Sequence, residues 1–132
     1  MKKLQIVLMV LVILLAACSS EEEATPEELE TVPAEFAGQT NPYGSEVASQ
    51  GGEVFQVYCA SCHGETGHGD GPAGASLVPA PKDLVELQPK VEDDYLFWRI
   101  SEGKSGTAMV AWKGILTDEQ IWQVVAFIRT LK

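Results

Sequence analysis

Apolar and polar positions divide the chain into stretches of different character. Leu4 to Ala17 is an almost unbroken apolar run behind Lys2 and Lys3. Ser19 to Gly44 shows no sustained apolar period and is interrupted by Pro26, Pro33 and Pro42. From Ser45 apolar residues return at helical spacing. Val47, Val54, Phe55 and Tyr58 predict a first helix that runs into Cys59. Gly51-Gly52 inside it weakens that helix and needs a reason, which a close crossing by another backbone would supply. Gly64 to Ala75 is too rich in glycine for regular structure, and Pro79-Ala80-Pro81 continues the loop. A second helix is predicted over Val91–Glu102. Glu92, Asp93 and Asp94 fall in its first turn, Tyr95, Leu96, Trp98 and Ile100 give apolar surface, and Gly103 ends it. The last helix opens with a capping box, Thr117 with Gln120. Ile121, Val124, Val125, Ile128 and Leu131 mark one face, and Arg129 and Lys132 lie at its C-terminal end. No window alternates as a strand does. The fold class is all-α, without repeats.

The apolar run is short for a bilayer span but suits the hydrophobic part of a secretory signal. Its end, Leu15-Ala16-Ala17-Cys18, resembles the lipobox of bacterial lipoproteins, where the signal is cut before the cysteine and the cysteine is lipidated. That resemblance implies a signal peptide over 1–17, a lipid on Cys18, and a bacterial domain outside the cytoplasm, held at a membrane. An uncleaved anchor helix and an ordinary cut after Ala17 are the alternatives.

Charge then separates tether from domain. The chain has 9 basic and 19 acidic residues, and two of the bases lie in the signal. Seven acids and no base lie between Ser19 and Gly44. Residues 18–44 therefore read as an acidic, proline-containing tether, extended by self-repulsion rather than packed. Asn41-Pro42-Tyr43 is its best candidate for a piece that becomes ordered on a partner. Residues 45–132 read as the folded domain, with 12 acids and 7 bases. Such acidity argues against nucleic acid, whose phosphates attract the opposite charge, and against peripheral binding to anionic lipid.

The chemistry is carried by Cys59-Ala60-Ser61-Cys62-His63. Two cysteines three apart at a helix end can both reach the vinyl groups on one edge of a haem, and the adjacent His can point a ring nitrogen at the iron. A zinc site would need two further ligands, and only His68 is present besides His63. A thioredoxin-like redox pair would need a preceding strand and a parallel sheet. A plain disulfide would leave a small glycine-rich domain with little core. Electron-transfer haems usually carry a second axial ligand, and Met is the soft partner that raises potential. After the signal the chain has one methionine, Met109, in the irregular stretch between the last two helices. Met109 is therefore the candidate sixth ligand, with His68 as runner-up.

Residues 45–132 resemble the class I cytochromes c, in order and over the whole domain. Gly51, Phe55 and Cys59 reproduce the first-helix pattern of that family, and Val124 and Phe127 its last-helix partners. Gly69-Asp70-Gly71-Pro72-Ala73-Gly74 and Met109-Val110-Ala111-Trp112 are similar to small bacterial members, many of which have Pro where Val110 stands. The resemblance implies three main helices around one covalent haem c, thioethers at Cys59 and Cys62, and iron ligation by His63 and Met109. It also implies that a proline carbonyl, of Pro79 or Pro81, accepts from the His63 ring N–H. The expected activity is single-electron transfer in a respiratory or photosynthetic chain rather than catalysis. Expected partners are a redox donor and acceptor, such as a quinol-oxidising complex or a terminal oxidase. The chain would serve as a tethered carrier or as a fixed subunit like those of alternative complex III. Its overall acidity suggests a partner with a basic docking patch. The alternative is a haem enzyme or a gas or redox sensor with an openable sixth position, for which His68 would be the acid–base group.

Overall fold

The computed structural model describes residues 29–132. Cys18 and the signal read at residues 1–17 lie outside the described residues, as does the first part of the predicted tether. By contacts the chain divides into two units, Met1–Glu30 and Thr31–Lys132. The second is helical. Its elements are α1 (Ala48–Tyr58), α2 (Ala60–His63), α3 (Leu84–Leu87), α4 (Asp93–Glu102) and α5 (Asp118–Ile128), with 3-10 turns at Gly74–Ser76 and Gln88–Lys90. Among the described residues there is no strand, only an isolated bridge between Lys113 and Leu116.

The main packing is α1 against α5, and glycine is what permits it. A Cβ on Gly51 would lie 1.8 Å from the backbone oxygen of Gln123 and 3.0 Å from the amide nitrogen of Val124. The helices therefore touch backbone to backbone at this point, which is the close crossing that the weak glycine pair required. Phe55, Ile121, Val124 and Val125 are fully buried around it, and the Phe55 and Phe127 rings meet at 5.0 Å. The predicted capping box of α5 is present. Thr117 Oγ1 accepts from the Gln120 amide at 3.2 Å, and Gln120 Oε1 accepts from the Thr117 amide at 3.0 Å. Leu131 is buried as the periodicity predicted, although it lies just past the end of α5.

α4 buries more of its circumference than an amphipathic stripe would. Tyr95, Leu96, Phe97, Trp98 and Ile100 are all buried, and Phe97 stacks on Trp122 of α5 at 4.1 Å between centroids. The Arg99 guanidinium covers part of the remaining surface, lying 4.0 Å from the Trp98 ring centroid.

The expectation of an unpacked tether through Gly44 is corrected here. Phe36 is buried, its ring centroid 6.2 Å from that of Phe97, and Lys113 Nζ lies 5.9 Å from the Phe36 ring centroid. The backbone follows the side chain down. The Gly38 amide donates to Asp94 Oδ2 at 2.7 Å, and the Asn41 amide to Asp93 Oδ2 at 3.2 Å. Asn41 Nδ2 donates to the Trp122 carbonyl at 2.9 Å. Residues 32–41 thus form a strap across α4 and α5. The acids of the segment cluster before the strap, which contains only Glu35, and the strap is held by one buried aromatic and by two carboxylates at the start of α4 that accept its amides. Asp93 also accepts from Arg129, Nε at 2.9 Å and Nη2 at 2.8 Å, while Arg129 donates to the carbonyls of Val91 and Gln88. The basic residue expected to serve the end of α5 is therefore a cross-tie to α4.

Candidate functional site

Cys59, Cys62 and His63 are placed by the junction of α1 and α2. The Cys59 amide donates to the Phe55 carbonyl at 2.8 Å, ending α1, and the His63 amide donates to the Cys59 carbonyl at 2.9 Å. The five motif residues thus form one tight helical turn, so their spacing in the chain becomes a fixed spacing in space. Both thiols are free and half-buried. Burial, with a smaller contribution from Cys62, pushes the Cys59 thiol up to about 12. An unmodified thiol there is protonated and poorly suited to hold a metal as thiolate, whereas a neutral thioether sulfur fits such an apolar place.

The glycine-rich loop closes over this turn from outside. The Gly69 amide donates to the His63 carbonyl at 2.8 Å, Gly71 to Cys62 at 3.2 Å, and Ala73 to Ser61 at 2.8 Å. These are carbonyls that a helix end leaves without partners. A Cβ on Gly71 would meet the Ser61 and Ala60 oxygens at 2.5 and 2.6 Å, so only glycine lets the loop backbone lie so close.

His63 is oriented by its backbone partner. Its Nδ1 lies 3.1 Å from the carbonyl oxygen of Lys82. A carbonyl can only accept, so Nδ1 carries the proton and Nε2 keeps its lone pair. Burial lowers the pKa of His63, against an opposing effect of this hydrogen bond, which keeps the ring neutral. The hydrogen-bond acceptor is the Lys82 carbonyl rather than that of Pro79 or Pro81, so the expectation is corrected by one residue. The Pro81 carbonyl is turned toward Gly69, 2.6 Å from where a Cβ there would stand, so the next carbonyl along faces the imidazole.

Met109 sits on the loop between α4 and α5 and is half-buried. Gly103, at φ 68°, ends α4 and lets this loop fold back, since a Cβ there would meet the Met109 oxygen at 2.5 Å. The Met109 carbonyl accepts from the Lys104 amide at 2.9 Å, and its amide donates to Thr107 Oγ1 at 3.1 Å. Thr107 Oγ1 in turn donates to the Lys104 carbonyl at 2.8 Å. Beyond Met109, the amides of Trp112 and Lys113 donate to Ile100 and Ser101 at 3.1 Å each. The backbone on both sides of Met109 is thus pinned to the end of α4. Tyr58, next to Cys59, meets Trp112 edge-on at 5.4 Å, joining the end of α1 to this loop.

His68, the runner-up ligand, is exposed and bonds Asp83 Oδ2 through Nδ1 at 3.0 Å. Asp83 Oδ1 caps α3, accepting from the amides of Val85 at 2.8 Å and Glu86 at 3.1 Å. His68 therefore ties the glycine-rich loop to α3, and sequence reasoning missed both the short helix and this tie. Among the described residues no group of three or more His, Cys, Asp or Glu is placed to hold a metal ion. The zinc reading of the motif gains nothing from the fold.

Paired thiols on one turn, a neutral imidazole with a bound Nδ1–H, and a thioether on a pinned loop are a donor set that suits haem c. The sequence comparisons decide the family. Residues 46–128 match the family described as cytochrome c oxidase, cbb3-type, subunit III. The chain belongs to the cytochrome c family. It is 32% identical over 80 residues to cytochrome c6 of Synechococcus elongatus, an alignment covering 61% of this chain and 85% of that one. It is 32% identical over 107 residues to the cbb3-type cytochrome c oxidase subunit FixPc of Rhizobium leguminosarum bv. viciae, covering 80% of this chain and 36% of that one. The fold is similar to a chain of the reducing HAO-like protein complex of Kuenenia stuttgartiensis, with a TM-score of 0.60 at 21% identity. That match covers 84% of this cytochrome c chain but only 53% of the other. As a cytochrome c the protein binds haem c covalently, and its function class is electron transfer.

Proposed function

We propose that the protein is a membrane-tethered, mono-haem electron carrier, with Cys59 and Cys62 as thioether attachments and His63 and Met109 as the two axial ligands. Haem c supplies a one-electron iron couple when bound. The residues supply the rest. The Lys82 carbonyl holds the His63 ring in the tautomer that presents Nε2, and the Gly103–Lys113 loop that carries Met109 has its backbone pinned to the end of α4. With haem c bound, His63 and Met109 would both hold its iron, and the group would supply a one-electron couple suited to transfer with little reorganisation. The observation that carries this reading is the His63–Lys82 hydrogen bond beside two free thiols on one turn. It is the outer hydrogen bond that an iron-ligating histidine requires.

The lipobox-like Leu15-Ala16-Ala17-Cys18 supports attachment through a lipid on Cys18, on the outer side of a bacterial membrane. With residues 32–41 held on the domain, the stretch available as tether is shorter than the sequence reading gave. The donor and acceptor are redox proteins of a respiratory or photosynthetic chain, a quinol-oxidising complex or a terminal oxidase among them. The sensor or enzyme reading needs an acid–base group over the iron. His68 was its candidate, and His68 is spent on Asp83 at the surface.

A potentiometric titration of the haem-loaded chain tests the carrier reading. It predicts a single one-electron Nernstian wave, with haem retained after denaturation and lost in the double substitution of Cys59 and Cys62 to Ala. A wave of more than one electron, or haem extractable from the unmutated protein, would overturn it. Fractionation tests the anchor: Cys18→Ala moves the protein from the membrane to the soluble fraction.

A further inference from the structure

We propose that the strap at residues 32–41 latches the sixth iron ligand in place, with Phe36 as a positioning residue for Met109. The inference rests on Met109 as an axial ligand, as proposed above, and concerns what keeps it there. Phe36 is presented by a turn of the strap itself. The Pro33 carbonyl accepts from the amides of Phe36 at 2.9 Å and Ala37 at 3.0 Å, and Gly38 follows at φ 76°, a conformation that suits glycine. The Phe36 ring is only 8% exposed and belongs to one buried cluster with Phe97, Ile100, Leu116 and Trp122. Phe97 and Ile100 come from α4, whereas Leu116 comes from the segment that runs from Met109 to α5. Trp112 of the same segment packs, partly buried, against that cluster.

The need for such a latch lies in the residues after Met109. Val110 and Ala111 are exposed, so they contribute no burial that would hold the loop. The first ties beyond them are the amides of Trp112 and Lys113, which donate to Ile100 and Ser101 near the C-terminal end of α4. Phe36 touches both sides of that junction, its ring 6.2 Å from the Phe97 ring of α4 and 5.9 Å from the Lys113 ammonium. A site is held to within about 0.5 Å only when the residues behind it are themselves packed. A thioether has no charge to keep it at the iron, so the position of its loop decides whether it stays. Removing the Phe36 ring leaves a cavity beside α4 and Lys113 into which residues 112–116 can relax, and Met109 moves with them. The strap and the closed iron are thus one coupled system, and release of the thioether loosens the strap in turn.

Imidazole is the probe. Added to the oxidised haem-loaded chain it competes with Met109 for the iron, and its apparent affinity rises with the fraction of molecules in which the thioether has let go. Phe36→Ala should raise that affinity by about tenfold or more, and the milder Phe36→Leu by about threefold. Ile128→Ala is the control, because Ile128 is buried at the end of α5 far from the Met109 segment and its loss costs comparable stability. It should leave the affinity within about twofold. Hydrogen exchange of the same proteins gives a readout independent of imidazole: the Gly38, Asn41, Trp112 and Lys113 amides should all exchange faster in Phe36→Ala. An unchanged imidazole affinity in both Phe36 variants would overturn the proposal. So would an equal rise in Ile128→Ala, since general loosening would then account for both. Trp112 and Lys113 amides that keep their unmutated rates while those of Gly38 and Asn41 quicken would also overturn it. Failure of the Met109 reading itself would show first, as an unmutated oxidised protein without the weak red methionine–iron band.

Discussion

Replacing Gly51 by alanine should destabilise the domain although alanine is the better helix former. In the helix interior Gly→Ala is worth roughly 0.5–1 kcal/mol in favour of alanine. Against it stands the α1–α5 crossing. The new methyl would lie 1.8 Å from the Gln123 oxygen, 2.3 Å from its carbonyl carbon and 3.0 Å from the Val124 nitrogen. These are backbone atoms, so no side chain can swing aside, and the helices must part by more than 1 Å to reach ordinary contact. Overpacking a well-packed core costs typically about 1–3 kcal/mol, occasionally more, and a backbone clash belongs at or above the top of that range. The parting also loosens Phe55, Ile121, Val124 and Val125, each fully buried here. The net expectation is a loss of about 2 kcal/mol or more, which lowers Tm by roughly 8–16 °C in a domain of this size. Gly52→Ala is the control. Its methyl would meet the Phe127 ring at 3.1 Å, a side chain that can shift, so the penalty and the helix-propensity gain nearly cancel. Thermal unfolding of haem-loaded protein, followed by circular dichroism, reads both. Gly51→Ala unfolding at or above the unmutated temperature would refute the backbone crossing.

Three further outcomes follow from other parts of the structure. Phe36→Ala removes the one buried aromatic of the strap and should cost about 3 kcal/mol, the low end for a buried phenylalanine, in a urea melt. An unchanged melt would mean that the strap is not packed in solution. His68 titrates above the ordinary imidazole range because of its hydrogen bond to Asp83, with Asp70 and Glu86 adding in the same direction, and Asp83 titrates below the ordinary carboxylate range because of His68. The raised His68 value means that its contribution is present below about pH 6.5 and is lost as pH rises through the folded value; the lowered Asp83 value means that its contribution is lost as pH falls below about 4. NMR titration of the His68 ring should show the raised value, returning to normal in Asp83→Asn. Without haem, the domain should be largely unfolded by circular dichroism, because so small a core depends on the prosthetic group; a well-folded apo form would contradict this.

Much of this was legible because the relevant signals are local. The Thr117/Gln120 capping box, the apolar face of the last helix and the Cys59–His63 motif are each contained within a few residues. Gly51 was legible in a different way, as a local fault whose remedy had to be tertiary. The strap was not legible. Residues 32–41 have one large apolar residue, Phe36, and no period, and what holds them are Asp93 and Asp94, read as first-turn residues of α4 serving only the helix dipole. The acceptor for His63 was misplaced by one residue, because a chain carrying two nearby prolines does not reveal which carbonyl turns inward. The short helix at Leu84–Leu87 is too brief for any period and depends on the Asp83 cap.

The central claim is that His63 and Met109 close the iron on both sides, and optical spectroscopy of the haem-loaded chain with carbon monoxide tests it most directly. The account predicts a low-spin spectrum in both oxidation states, the weak red methionine–iron band in the oxidised form, and no change when carbon monoxide meets the reduced form. It predicts loss of that band and prompt carbon monoxide binding in Met109→Ala. Rapid carbon monoxide binding by the unmutated protein, or a red band that survives Met109→Ala, would contradict it.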